Sequence, residues 1–193
     1  FFGMLDGVEV VELDHGIQFQ GVQTRPLGLQ VGGRIGFSDT HPFLAHFRAL
    51  ADATAATGAT PKFTIPAPTV FDFRLEPAGI TTGLYADRDA LVPDLVQAYR
   101  DAVQAFYDAG CRYLQFDDTA WAYLCSPEEL EKAAARGIRT EGIGERYSAM
   151  LNAILEAKPA DMTITTHVCR GNFRSTWISS GGYEPVAKHL LAD

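Results

Sequence analysis

The sequence holds only three cysteines, Cys111, Cys125 and Cys169, in 193 residues. An odd number in a chain of this length does not make a disulfide framework and suits a reducing compartment, so each sulfur is a packing group or a candidate thiolate. No run of about 18 apolar residues occurs, which excludes a spanning helix. The opening residues lack the charged-then-apolar layout of a signal peptide, and a cytoplasmic location is the expectation. A basic surplus is missing too: 16 Lys and Arg stand against 24 Asp and Glu, and the net charge is −8. With the cations scattered, no nucleic-acid or membrane partner is expected. No glycine-rich dinucleotide fingerprint and no internal repeat are found.

What is present is ordinary globular material, 47% hydrophobic and 21% charged, enough for one sizeable core. Residues 7 to 37 alternate and are rich in Gly, Val and Gln, as in Val8-Glu9-Val10-Val11-Glu12-Leu13 and Leu27-Gly28-Leu29-Gln30-Val31, which predicts antiparallel strands joined by tight turns. From Pro42 the period becomes helical, through Phe43, Leu44, Phe47, Leu50 and Ala51, with an end expected near Gly58. Lys62-Phe63-Thr64-Ile65 reads as a strand that Pro66-Ala67-Pro68-Thr69 closes as a rigid loop. Leu91, Leu95, Ala98, Ala102, Val103 and Phe106 share one face of a helix over 87 to 109, capped by Gly110.

The strand Arg112 to Asp117 follows. Next come a helix over 127 to 136 opened by Ser126, Pro127 and Glu129, a helix over 144 to 158, the strand Met162 to His167 and a last helix from Glu184 to Ala192. Helices alternating with short, non-alternating strands predict βαβ units and a parallel sheet covered on both faces. Without a dinucleotide fingerprint a closed barrel is favoured over a doubly wound sheet. Residues 1–193 are therefore expected to form one α/β domain, part of a TIM (β/α)8 barrel, with an inserted β meander over 1–37 and βα units over 38–193. A complete barrel takes roughly 250 residues, and both ends read as cuts in a longer chain.

Three strand ends carry polar residues. His167 and Cys169 are two apart, so their side chains leave on one face, and an imidazole beside a thiolate suits zinc. A buried Cys and a hydrogen-bonded core His would give the same spacing. Asp117 and Asp118 end the strand 114–118, and by alternation Asp117 is the one that shares a face with Gln115. That one could receive a substrate ammonium, while either could instead cap the turn at Thr119-Ala120. The third end, Thr64 to Thr69, offers a hydroxyl-bearing loop as a pocket wall or a plain turn. Cys111 is read as a packing residue, Cys125 as one too although it lies near enough to the strand ends to be weighed as a ligand, and the polar stretch Gly171 to Tyr183 as a loop able to lie over the His167 strand end.

Lys62 to Thr69, Phe106 to Leu124 and Thr166 to Ala187 together resemble the catalytic barrel of cobalamin-independent methionine synthase and its shorter single-barrel bacterial relatives. The most specific runs are Phe106-Tyr107-Asp108-Ala109-Gly110-Cys111-Arg112-Tyr113-Leu114-Gln115-Phe116-Asp117-Asp118 and His167-Val168-Cys169-Arg170-Gly171-Asn172-Phe173-Arg174-Ser175-Thr176-Trp177. The resemblance implies a TIM barrel in which His167 and Cys169 are zinc ligands and Asp117 binds the amino group of homocysteine. It also implies a Glu and a second Cys as further ligands, beyond Asp193, and a Gly-Glu substrate contact ahead of Phe1.

The activity implied is a zinc-dependent methyl transfer to the homocysteine thiol, giving methionine. Zinc would stabilise the thiolate form of a thiol whose free pKa is roughly 8.5, and a methylated folate is the expected donor. The resemblance assigns no separate catalytic acid or base. The same ligands would also serve a zinc enzyme that alkylates another small thiol, and an inactive piece of such an enzyme is the remaining reading.

Overall fold

The alternating N-terminal residues fold as expected into an antiparallel ribbon, β1 (Asp6–Glu12) against β4 (Leu27–Gly36), in a computed structural model that describes all residues 1–193. Val8 lies opposite Val31 and Val10 opposite Leu29. The register slips between Asp6 and Val8, where Gly7 has φ +72° and a Cβ would meet the Arg34 carbonyl oxygen at 2.4 Å; only glycine passes there. Between these strands a small hairpin pairs β2 (Gln18–Phe19) with β3 (Val22–Gln23). The ribbon docks through buried Leu5, Val8, Val31 and Ile35. Asp94 fastens it, accepting from both Arg34 (2.9 Å) and the Tyr85 hydroxyl (2.8 Å).

The rest alternates helix and strand. Helix α1 (Pro42–Thr54) starts with proline at its first position and His41 as N-cap, whose Nδ1 accepts the Phe43 N–H at 3.2 Å. Strand β5 (Lys62–Pro66) follows, then α2 (Pro68–Arg74), α3 (Arg88–Asp108), β6 (Tyr113–Asp118), α4 (Ala120–Leu124), α5 (Pro127–Ala135), α6 (Ile143–Leu155), β7 (Thr163–Val168) and α7 (Glu184–Leu191). Asp87 caps the start of α3 through the Ala90 N–H. Its end is the pattern the sequence announces: Gly110, at φ +99°, donates to Tyr107 while Cys111 donates to Phe106.

Two short helices depart from expectation. Pro68 does not prolong a loop but takes the first position of α2, the same use of proline as at Pro42 and Pro127. Thr69 is consequently fully buried, and neither the pocket wall nor the plain turn weighed for Thr64 to Thr69 forms. Helix α4 spans five residues, too few to show a period.

β5, β6 and β7 form one parallel sheet in the order β5-β6-β7. Phe63 and Ile65 lie level with Leu114 and Phe116, and this face is covered by helices: Phe106 of α3 packs on Phe63 at 5.3 Å between ring centres, and Tyr99 meets Phe116 edge-on at 5.7 Å. The other face carries Thr64, Gln115 and Thr165 in one row and Pro66, Asp117 and His167 in the next. Both outer strands keep an open edge. With three parallel strands where a (β/α)8 barrel has eight, the sheet does not close. No helix is long and apolar enough to cross a membrane.

Because Phe106 sits at the junction of α3 with the sheet, Phe106→Ala is expected to lower the unfolding free energy by roughly 3–5 kcal/mol in urea titrations. Val10→Ser, on the exposed side of the ribbon, should change it by about 0.5 kcal/mol or less. A Phe106→Ala loss no larger than that of Val10→Ser would contradict the packing described.

Candidate metal and substrate site

The site is built by strand alternation and register. Along β6 the residues Leu114, Phe116 and Asp118 are buried, and Tyr113, Gln115 and Asp117 are half-buried. The two adjacent carboxylates therefore part company. Asp118 turns beneath the sheet and Asp117 to the open face, where parallel pairing sets it directly beside His167. Asp117 Oδ1 lies 3.7 Å from His167 Nε2, and the two side chains are 48% and 41% exposed. Cys169 stands one residue past β7, partly buried, with its Sγ accepting the Gly171 N–H at 3.3 Å.

The sequence left open which aspartate caps the turn, and the answer is Asp118. Its Oδ1 accepts the Ala120 N–H at 3.0 Å, and its Oδ2 accepts the Thr69 hydroxyl at 2.5 Å. Burial pushes its carboxyl up to about 6, against the opposing pull of the Thr69 and Ala120 donors. Thr69 thus ties the loop after β5 to the end of β6. Neither a pocket wall nor a plain turn at Thr64 to Thr69 foretells this tie; the alternation of apolar Leu114 and Phe116 is the signal that Asp118 belongs to the helix side.

The loop after Cys169 is fastened rather than free. Ser179 Oγ donates to the Ala122 carbonyl at 2.8 Å, and Ile178 N–H to the Arg170 carbonyl at 2.9 Å. The Arg170 guanidinium lies 4.0 Å from the Tyr183 ring centre and donates to the Gly181 carbonyl. Phe173 meets Phe19 of the β2–β3 hairpin at 5.4 Å, and Gln20 N–H donates to Trp177, so the N-terminal ribbon braces this loop. Cys111 and Cys125 are both buried, the Cys125 thiol donating to the Trp121 carbonyl at 3.3 Å, in keeping with packing roles.

Of the residues singled out in the sequence, Asp117, His167 and Cys169 share one end of the sheet, and Cys125 does not join them. Imidazole nitrogen and thiol sulfur are the donor types zinc prefers. The donor set stops at two, since no third His, Cys, Asp or Glu gathers into a metal-holding group. Cavities of about 710 and 700 Å³ lie elsewhere, one between α3 and α6 and one between the ribbon and α5.

No family model matches the chain. It is 43% identical over 192 residues to the uncharacterized protein YxjG of Bacillus subtilis (strain 168), covering 99% of this chain and 49% of that protein. The uncharacterized YxjH of the same strain is 42% identical over 191 residues, with 99% and 49% covered. Among solved structures, the chain matches a Listeria monocytogenes protein provisionally named a vitamin-B12 independent methionine synthase. The TM-score is 0.73 and the identity 38%, over 100% of this chain and 48% of that one. A B12-independent methionine synthase from Shewanella sp. W3-18-1, solved with selenomethionine, shares the fold at TM-score 0.58 and 15% identity, over 89% of this chain and 42% of its own. The chain spans about half the length of these relatives. It has the fold of part of a methionine synthase-like protein.

Asp118 gives this end of the sheet a pH signature. Its folded value of about 6 stands above the ordinary 3.8, so the folded protein carries no cost from it below pH 4 and the full cost above pH 6, roughly 3 kcal/mol. Asp118→Asn removes the ionisation. Its stability relative to wild type should therefore improve by roughly 2–3 kcal/mol between pH 4 and pH 6.5 in denaturant titrations. A difference that stays flat with pH would show that Asp118 does not ionise in a buried site.

Proposed function

We propose that the chain supplies part of the active site of a methyltransferase that moves a methyl group onto the thiol of homocysteine, giving methionine. The observation that carries this reading is the placement of Asp117, His167 and Cys169 at one end of a parallel sheet. The Listeria and Shewanella likenesses support it at the level of the fold and of a methionine synthase-like protein. The three-stranded sheet is read as an arc of a TIM barrel, its open polar face being the barrel interior; strand C-terminal ends are where such folds keep their sites.

In this reading His167 and Cys169 hold zinc, and the remaining ligands come from outside these residues. When bound, zinc favours the thiolate form of a coordinating thiol at neutral pH. The chain's own residues do the rest by position. Asp117, which no Lys or Arg neutralises, offers its carboxylate to the substrate ammonium. Because Asp118 is tied to Thr69 and Ala120, the end of β6 is fixed and Asp117 with it. The braced loop from Arg170 to Tyr183 walls the same strand end. Transfer forms a sulfur–carbon bond at homocysteine while the donor's bond to that carbon breaks, and aligned reactants supply much of the rate. A methylated folate is the proposed donor.

The complete protein is expected to hold about one zinc per chain and to form methionine from homocysteine and a methylated folate. His167→Ala and Cys169→Ala should each lose most of the metal by elemental analysis, and activity with it. A complete, folded protein free of zinc yet fully active would refute the reading.

A further inference from the structure

We propose that Asp117 has a second task, resting on the zinc reading above: it orients the His167 imidazole for metal binding. The parallel register places the two residues side by side, and Asp117 Oδ1 stands 3.7 Å from Nε2. This carboxylate is the one acidic group within ion-pair reach of the ring, and no Lys or Arg stands within that reach of the carboxylate. Both side chains are half-exposed, so a small rotation closes the gap to hydrogen-bond length.

A neutral imidazole has one N–H and one lone pair. A carboxylate facing Nε2 takes the N–H there and leaves the lone pair on Nδ1, which fixes both the tautomer and the direction of the ring. Asp118 lends the arrangement stiffness from the opposite face, where its two hydrogen bonds to Thr69 and Ala120 hold the strand end. Asp117 is therefore a positioning residue for the metal as well as a contact for the substrate. Its two tasks demand different chemistry: the imidazole N–H needs only an acceptor oxygen, whereas an ammonium needs a negative charge.

Two substitutions separate them. Asp117→Asn keeps an acceptor oxygen and loses the charge; Asp117→Ala loses both. Zinc affinity is measured on the complete protein by competition with a chromophoric chelator, with no thiol substrate present. Asp117→Ala should bind zinc about 10-fold more weakly and Asp117→Asn within about threefold of wild type, carboxylate partners of metal-bound histidines being worth roughly 10–100-fold. The KM for homocysteine should rise in both variants. Unaltered zinc affinity in Asp117→Ala overturns the orienting role and leaves the zinc reading standing. A wild-type protein that binds no zinc overturns that reading, and the inference with it.

Discussion

The arrangement at this site depends on one constraint, the register between β6 and β7. Parallel pairing sets Asp117 level with His167, and the two-residue period sends Asp118 to the opposite side of the same strand. A slip of one residue would turn Asp117 to the helix-covered side and expose Asp118, undoing both the open site and the packing beneath it. The register is held from below by apolar residues, Ile65, Leu114 and Phe116, against α3. It is held at its end by Asp118, whose hydrogen bonds to Thr69 and Ala120 join the segments after β5 and β6. Keeping that carboxylate buried costs stability near neutral pH, and the structure bears the cost one residue beyond Asp117.

The elements that were legible in the sequence are those whose ends carry chemistry. Ser126-Pro127 and Gly110 act at the helix termini where capping rules put them. Strands β5, β6 and β7 fall close to where short apolar runs predict them. What escaped was short or ambiguous. Pro68 reads as a breaker when the residues before it form a strand, yet its locked φ equally suits the first turn of α2. Helix α4, of five residues, begins where Asp118 accepts the Ala120 N–H and is held by the burial of Trp121 and Leu124, a tertiary cause that no local pattern displays.

At the site, spacing brought His167 and Cys169 to one strand end, and alternation separated the two aspartates. Alternation put Asp117 on the face of Gln115; which aspartate caps the turn is settled by the hydrogen bond from the Ala120 N–H to Asp118. Spacing could not show that Asp117 and His167 are neighbours, because they lie 50 positions apart and meet through strand pairing alone. Nor could it show that the β2–β3 hairpin reaches across to Phe173 and Trp177. The N-terminal ribbon thereby acquires a use: it braces the loop beside the proposed metal ligands while Arg34, Tyr85 and Asp94 pin its other end to α3. The open sheet edges and the uncovered polar face agree with a chain that spans half the length of its relatives.

The central claim is that His167 and Cys169 hold one metal ion on the face they share with Asp117. Anomalous diffraction at the zinc absorption edge, from crystals of the complete protein, tests it most directly. The account predicts a single strong peak about 2.0–2.3 Å from an imidazole nitrogen of His167 and from Cys169 Sγ. A zinc-loaded crystal with no peak there, or with its peak against other residues, would contradict it.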